Sequence, residues 1–198
     1  MNKILVTNDE VNLLEADEKL KVTLSDKFDL FDIVKLKIEC LEDTQLEIIH
    51  KNKKESKIDI IIEVNENVNL SIFEIKDEKS IKVQYRYYLN KNSNLIVHKF
   101  YDCDIVKELD IVNLNGENAT INYNLKTISK DKQKFDVVVY HNYYNTISNI
   151  NHNGVNIKDG SLNFNLTGIV YNKIINCELE QASRIITFNN NKCNINPN

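Results

Sequence analysis

Glycine and proline are scarce in this chain of 198 residues, with 4 and 1 copies, and tryptophan is absent. Tight β-hairpins depend on residues that tolerate left-handed backbone, glycine above all, so this scarcity disfavours a fold of conventional hairpins. Dipeptides of the Asn-Gly or Asp-Gly type occur only as Asn115-Gly116, Asn153-Gly154 and Asp159-Gly160, all in the second half of the chain. The chain must therefore turn mainly by other means.

The chain also lacks a strong positive charge and a long apolar run. Its net charge is −4 and its isoelectric point is near 5.6. The one cluster of lysines, at positions 51 to 57, is interrupted by Glu55. A nucleic-acid or anionic membrane surface needs clustered basic residues, and a membrane-spanning helix needs about 20 apolar residues. We therefore expect a cytoplasmic protein with no nucleic-acid partner, no membrane partner and no signal peptide.

Motifs for enzyme chemistry are missing as well. There is no Walker A sequence, no G-x-G-x-x-G, no H-E-x-x-H and no C-x-x-C pair. We expect the four cysteines, Cys40, Cys103, Cys177 and Cys193, to be reduced thiols. Cys40 and Cys177 read as small buried residues, and Cys193 is predicted to be the most exposed thiol. Asp102, Asp104 and Asp110 could line one face of a sheet, but they form no recognisable acid pair, so we predict a protein that is not an enzyme.

What the chain does have is a hydrophobic pattern of period two. Isoleucine and asparagine are both abundant, with asparagine at about one residue in six. β-Branched residues favour strands and asparagine favours turns. The pattern predicts strands at residues 3–7, 21–24, 33–38, 46–50, 58–64, 68–72, 82–89, 95–100, 105–112, 121–125, 135–141, 162–166, 168–171 and 184–188. The only helical pattern is short, at residues 9–20, where we expect a small helix or cap.

The predicted strands recur about every 10 to 12 residues, which fits a sandwich, a barrel or a solenoid. Clusters of asparagine lie between strands, at positions 65 to 69, 90 to 94 and 189 to 191. In a β-helix such turn residues would stack and form asparagine ladders. The pattern alone favours a sandwich and a solenoid equally, and it predicts a single domain over residues 1–198.

Several segments occur in the order and spacing of a known family. They are QLEIIH at 45–50, IIIEVNENVNLSIFE at 60–74, VNLNGENATINYNL at 112–125, the set His141, Asn145, Thr146, Ser148 and Gly154, the set Phe164, Gly168, Ile169 and Val170, and finally Gln181. Together they resemble the core of the SufB/SufD family, the scaffold proteins of the SUF system for iron–sulfur cluster assembly. The resemblance covers roughly 150 residues, and each single motif is of low specificity.

The resemblance implies an all-β fold, a right-handed parallel β-helix. It implies a non-catalytic scaffold that carries an iron–sulfur cluster transiently and works with a SufC-like ABC-type ATPase. The family's cysteine, histidine and acidic residues for cluster handling, and its helical ATPase-docking region, lie beyond Asn198. We therefore expect a short form of the family without those positions.

Two residues are the best candidates for metal or cluster binding. Cys193 is predicted to be an exposed thiol near the C-terminal edge, and thiolates suit iron–sulfur clusters. His141 matches the family histidine, although Asn145 and Thr146 nearby favour a hydrogen-bonded structural turn. His50, His98 and His152 have no recognisable partner. A tyrosine group at 85, 87 and 88 and the pair Tyr143-Tyr144 could form a partner surface or pack between sheet and solvent.

The sequence also predicts self-association. A β-helix has open ends, and an uncovered last coil exposes unpaired backbone groups. We expect a homodimer or hetero-oligomer through the β-helix ends, as the resemblance also implies. The alternative function is a structural or protein-interaction module that has lost cluster chemistry. A β-helical carbohydrate-active enzyme is a third, weaker interpretation.

Overall fold

A computed structural model describes residues 1–7, 11–24, 33–51, 56–77, 79–158, 160–188 and 191–197. These residues form sixteen strands and no helix. The strands are β1 (Asn2–Val6), β2 (Val11–Glu15), β3 (Leu20–Leu24), β4 (Ile33–Cys40), β5 (Thr44–His50), β6 (Ser56–Val64), β7 (Asn69–Lys76), β8 (Ser80–Leu89), β9 (Asn94–Cys103), β10 (Ile105–Leu114), β11 (Thr120–Ser129), β12 (Lys132–His141), β13 (Ile147–Asn156), β14 (Ser161–Val170), β15 (Glu178–Thr187) and β16 (Lys192–Pro197). Within these residues there is accordingly no helix long and apolar enough to cross a membrane.

The strands form two sheets that the chain visits in turn. Sheet A has the order β15-β13-β11-β9-β7-β5-β1-β2, and sheet B has the order β16-β14-β12-β10-β8-β6-β4-β3. From β6 onward each strand pairs in parallel with the strand two places before it, and as far as β14 it also pairs in parallel with the strand two places after it, so one strand of each sheet makes one coil. The result is a parallel β-helix of about 6 turns, which confirms the predicted fold class.

The period-two pattern explains why the coils stack. Along β8 and β12 every second side chain points inward and is buried, while the others lie on the outer face. Parallel register places like residues above one another, for example Leu70 against Leu95 and Leu95 against Ile121. Burial of one such apolar side chain stabilises the folded state by about 1.5–3 kcal/mol. A continuous interior column therefore holds successive coils together.

Asparagine makes the turns that glycine makes elsewhere. Asn67, Asn92, Asn118, Asn145 and Asn176 all have positive φ, between 53° and 61°. Their side chains stack: Asn92 donates to Asn67 at 2.8 Å, Asn118 donates to Asn92 at 2.8 Å, and Asn176 donates to Asn145 at 3.1 Å. Asparagine adopts left-handed backbone at little cost. The expected asparagine ladder is therefore confirmed for Asn67 and Asn92; Asn189 and Asn190 lie outside the described residues.

The N-terminal segment is not the helix that we expected over residues 9–20. Its described part, from Val11, begins with strand β2, which pairs antiparallel with β1. Strand β3 likewise pairs antiparallel with β4. Both strands thus cover the outer edge of the first coil, where β1 and β4 would otherwise expose unpaired backbone groups. The described part of this segment therefore covers the first coil with strands and not with a helix.

Apart from this segment, the predicted strands agree with the structure except at three places. Strands β13 and β16 were not predicted, and the segments 162–166 and 168–171 form the single strand β14.

Gly154 makes no hairpin, because it lies inside β13. A Cβ there would come within 2.9 Å of the Ile185 and Leu162 side chains, so this glycine serves close packing.

Candidate functional site

The last coil, β15 with β16, is the most unusual surface of the molecule. Both strands are edge strands, with a parallel neighbour on one side only. Leu179 and Ile195 occupy positions that are buried in earlier coils, but here they are 39% and 37% exposed. In the register of the strands, Leu179 pairs with Ser148 and Ile195 pairs with Phe164, and both of these partners are buried in the preceding coil. The last coil therefore presents an open core and two unpaired strand edges.

More apolar side chains surround this open end. Exposed large residues there include Val170, Tyr171, Ile175, Ile186 and Phe188. Tyr171 stacks on Tyr140 of the preceding coil, with ring centroids 6.4 Å apart. Tyr143 and Tyr144, in the turn before β13, are also exposed and meet edge to face. Exposed apolar groups that are contiguous mark interaction surfaces more often than scattered ones do.

His141 lies at the end of β12 and is fully buried. Its Nδ1 lies 2.7 Å from the Thr146 hydroxyl, and its Nε2 lies 3.1 Å from the Ser148 hydroxyl. Thr146 donates to the Tyr143 carbonyl at 3.0 Å, which leaves His141 Nδ1 as the donor to Thr146. Burial lowers the pKa of His141, so the ring is neutral. A metal could bind His141 only by displacing one of these hydrogen bonds.

Cys193 lies at the start of β16 and is partly exposed. Burial raises the pKa of its thiol, which lowers its reactivity. Cys177 is also partly exposed, so the expectation that it is buried was wrong, and its Sγ lies 3.3 Å from the Thr146 hydroxyl. Cys40 and Cys103 are buried, and burial raises the pKa of Cys40 to about 12.

The two predicted ligands do not meet. Cys193 is in register with Leu162, and Leu162 with Gln133, which lies eight residues before His141 on β12. At about 3.3 Å per residue the two side chains are about 26 Å apart along the strands. Among the described residues, no group of three or more His, Cys, Asp or Glu side chains is placed to hold a metal ion.

A cluster of ionisable side chains lies inside the β-helix, in a place that the sequence analysis did not predict. We call Glu74, Lys76, Lys99, Glu108 and Asp110 the buried ion network; each is at most 2% exposed. They come from β7, β9 and β10 and point into the space between the two sheets. Asp110 thus lies in the core, whereas we had considered it for an outer face.

The network is closed by short contacts between opposite charges. Lys99 Nζ lies 2.7 Å from Glu108, 2.9 Å from Asp110 and 3.8 Å from Glu74. Lys76 Nζ lies 3.2 Å from Glu74 and 3.3 Å from Glu108. Opposite charges held this closely in a low-dielectric interior offset much of their own desolvation cost.

Four buried tyrosines complete the network. Tyr85 donates to Glu74, Tyr101 donates to Glu108, and Tyr123 donates to Asp110 at 2.5 Å. The rings also face the ammonium groups, since Lys99 Nζ lies 3.7 Å from the Tyr85 ring centroid and 5.7 Å from that of Tyr87. Tyr85 and Tyr87 are therefore core residues, and of the group only Tyr88 faces outward.

The charges in this interior share a proton. Burial and the charge of Glu108 raise the pKa of Asp110 to about 8 despite the nearby Lys99. Burial alone would raise the pKa of Glu108 as well, but Lys99 and Lys76 outweigh it and hold that pKa below its usual range. The two carboxyls titrate as a pair, with one proton on Asp110 at neutral pH. The network then has two positive and two negative charges.

The other histidines have structural partners. His50 Nε2 donates to Glu74 at 2.7 Å, at the edge of the buried ion network. His98 lies on the outer face and stacks on Phe73, with centroids 5.2 Å apart. His152 lies in the core between Phe164 and Phe135, and neither of its ring nitrogens has a hydrogen-bond partner. Burial lowers the pKa of His152 to about 4.

These arrangements differ in what they can do. The side chains of the buried ion network are not accessible to solvent, so a substrate cannot reach them. Their ion pairs and hydrogen bonds connect neighbouring coils. The last coil is open, apolar and edged by unpaired backbone groups, which are the properties of a docking surface. No protein-family model matches this chain, and no curated protein matches it in sequence. The resemblance to the SufB/SufD core therefore rests on the quoted motifs.

Proposed function

We propose that this chain is a non-catalytic β-helical scaffold for iron–sulfur cluster assembly, of the SufB/SufD type, and that it docks a partner at its last coil. The observation that carries the proposal is the contrast between its ends. The first coil is covered by β2 and β3, whereas among the described residues no strand pairs with the outer edges of β15 and β16 and the core between them is exposed. The parallel β-helix and the joined His141–Thr146–Ser148 motif agree with the resemblance.

The partner at this surface is a second copy of the chain. Two identical last coils can meet about a two-fold axis, so that the β15 and β16 edges and the exposed Leu179 and Ile195 of each copy cover those of the other. Such an arrangement removes both edges and completes the interior column. A second β-helix of the same kind would fit in the same way, which is how a hetero-oligomer would form.

Light scattering tests the docking surface directly. We expect a dimer at micromolar concentration, and we expect Leu179→Lys to give a monomer because it places a charge in the shared core. The matched control is Ile75→Lys, since Ile75 has a similar exposed fraction, 43%, but lies on the outer face of sheet A. A monomeric mass for the unchanged chain, or the same mass for both variants, would refute docking through the last coil.

Anaerobic purification with its native partners tests the process. Co-purification of an ABC-type ATPase or a cysteine desulfurase, with iron and sulfide above the level of a control preparation, would support the scaffold role. The second candidate, a protein-interaction module without cluster chemistry, is favoured by the absence of a metal-binding group among the described residues. A dimer that captures neither enzyme and holds neither element would select that second candidate.

A further inference from the structure

Four lysines form a column on the outer face of sheet B, and the fourth, Lys134, is in register with Lys107 and lies 2.7 Å from Asp136. The other three are Lys57, Lys82 and Lys107. Lys57 of β6 pairs in register with Lys82 of β8, and Lys82 pairs with Lys107 of β10. All three are exposed. Adjacent strands lie about 4.8 Å apart, so the three ammonium groups extend from positions within about 10 Å of one another. We call these three residues the lysine ladder.

The lysine ladder differs from other outward lysines in its pairing. None of its three members has an ion pair within the described residues, although other outward lysines do: Lys3 lies 2.7 Å from Glu47, and Lys37 lies 3.1 Å from Glu63. Like charges directly opposite one another on neighbouring strands destabilise a sheet. This repulsion persists in a chain whose net charge is −4.

The acids beside the ladder are already neutralised by other residues. Asp59 accepts from Arg86 at 2.5 Å. Asp136 lies 2.7 Å from Lys134 and accepts from Asn165 at 2.6 Å. The positive charge of the ladder is therefore left over, and it produces a local positive potential.

A groove of about 440 Å³ runs beside the ladder across β6, β8, β10 and β12. The ladder forms one side of it, and Gln84 and Leu109 occupy the middle, between Asp59 and Asp136. Its volume is that of a site for a small molecule. The groove thus combines a concave surface, three unpaired cations at regular spacing and an amide that can donate hydrogen bonds.

We propose that the lysine ladder and its groove bind a small polyvalent oxyanion of the polyphosphate class, with oxyanion groups about 5 Å apart. Lysine ammonium groups bind phosphate oxygens as point charges, and three of them at strand spacing match successive charged groups of such a molecule. The bound anion would remove the repulsion within the ladder. A long polyanion fits less well, because the rest of this acidic surface would repel it. This site is separate from the docking surface on the last coil.

Isothermal titration calorimetry with inorganic triphosphate tests the proposal. We expect saturable binding that weakens as salt is added. Lys82→Gln removes the central charge and should weaken binding about tenfold, the effect of losing one charge-assisted hydrogen bond. Lys126→Gln is the matched control, because Lys126 is an exposed lysine on the outer face of sheet A with no ion pair in the part of the chain that the structure describes. It should change the affinity less than twofold.

Three outcomes would overturn the proposal. The first is absence of saturable binding at low salt. The second is an equal loss of affinity in Lys82→Gln and Lys126→Gln, which would mean a diffuse charge effect and no site. The third is tighter binding of a single-stranded oligonucleotide than of triphosphate, again lost in Lys82→Gln, which would make the surface a nucleic-acid groove. The folded state of both variants is checked by circular dichroism, since both changes are on exposed side chains.

Discussion

The central coils and the last coil of this β-helix depart from an ordinary protein core in opposite ways. In the central coils, five ionisable side chains are enclosed where apolar residues are usual. In the last coil, apolar side chains such as Leu179 and Ile195 are exposed at positions where burial is usual. Both coils have the same backbone geometry and the same inward and outward alternation.

The difference shows that the position of a side chain in this fold does not by itself set its environment. An inward position is buried only when another coil lies beyond it, and an inward charge is tolerated only when opposite charges and hydroxyl groups surround it. The central coils satisfy both conditions internally. In the last coil the inward positions of Leu179 and Ile195 are not covered by another coil among the described residues.

The largest effect should come from breaking the charge balance of the central coils. Lys99→Met leaves the two carboxylates Glu74 and Glu108 with one cation instead of two, and it should lower the free energy of unfolding by about 3–5 kcal/mol. Urea unfolding followed by circular dichroism measures this. Lys126→Met on the outer face is the control and should change stability by less than about 0.5 kcal/mol.

A double variant distinguishes charge balance from packing. Lys99→Met with Glu108→Gln removes one charge of each sign, so it should recover part of the stability lost in Lys99→Met alone. If the two losses of stability simply add, the charges of Lys99 and Glu108 are not coupled, and charge balance does not stabilise the central coils.

The next effect concerns the proton on Asp110. Its pKa in the folded chain is about 8, against 3.8 as the ordinary value, so the folded state binds a proton that the unfolded state has released. The stability from that proton is complete below about pH 4 and is lost as the pH rises toward 8, by up to about 1.4 kcal/mol per pH unit. In Asp110→Asn the side chain does not titrate, so this loss of stability with rising pH is absent.

We therefore expect Asp110→Asn to gain stability relative to the unchanged chain between pH 5 and pH 9. Unfolding in urea at pH 5, 7 and 9 measures the difference. A constant difference across this range would show that Asp110 is ionised in the folded chain throughout. Asp102→Asn is the control, since that aspartate lies outside the core, paired with Lys130.

A smaller effect is expected at His152, on the coil next to the open one. Its ring is buried without a hydrogen-bond partner, and its pKa is lowered to about 4 from 6.5. Because the folded chain keeps the ring neutral while the unfolded chain protonates it, the free energy of unfolding is highest above about pH 6.5 and decreases as the pH falls toward 4. His152→Leu should remove this decrease at low pH. At neutral pH it should raise the free energy of unfolding by about 1 kcal/mol, because no buried polar group is left unpaired. Equal pH profiles for the two proteins in urea unfolding would contradict this.

The smallest effect is expected at the open end. Leu179→Lys should change the unfolding free energy of the monomer by less than about 0.5 kcal/mol, because the side chain is already exposed there. The measurement is made below the concentration at which light scattering detects dimers. A loss of several kcal/mol would mean that Leu179 belongs to the closed core, and the contrast between the two regions would disappear.

The sequence predicted most of the fold but little of the interior. Period-two alternation identified the strands wherever inward positions are apolar, as in β6 and β14. Strand β13 was not predicted because its inward positions include Ser148, His152 and Asn156, which are polar and yet buried. The ladder role of Asn67 and Asn92 was predicted because left-handed turns without glycine leave asparagine as the main choice.

The candidate sites were predicted less well, because they depend on contacts between distant coils. Cys193 and His141 were sound candidates by residue type, but the register puts them at opposite ends of the strands. The buried ion network was not predicted at all. A signal for it did exist, since Glu74, Glu108 and Asp110 continue the inward phase of their strands in the sequence.

The sequence by itself determined the strands, the asparagine turns and the absence of long helical or membrane-spanning segments, because these follow from local preferences and a period of two. Only the tertiary structure decided which face of each strand is inside. In β7, Leu70 and Ile72 point inward and the same phase carries Glu74 and Lys76 into the core, while Phe73 is left outside. The reason is that a strand cannot change phase without a break, so stacking between coils sets the register and overrides the polarity of single residues.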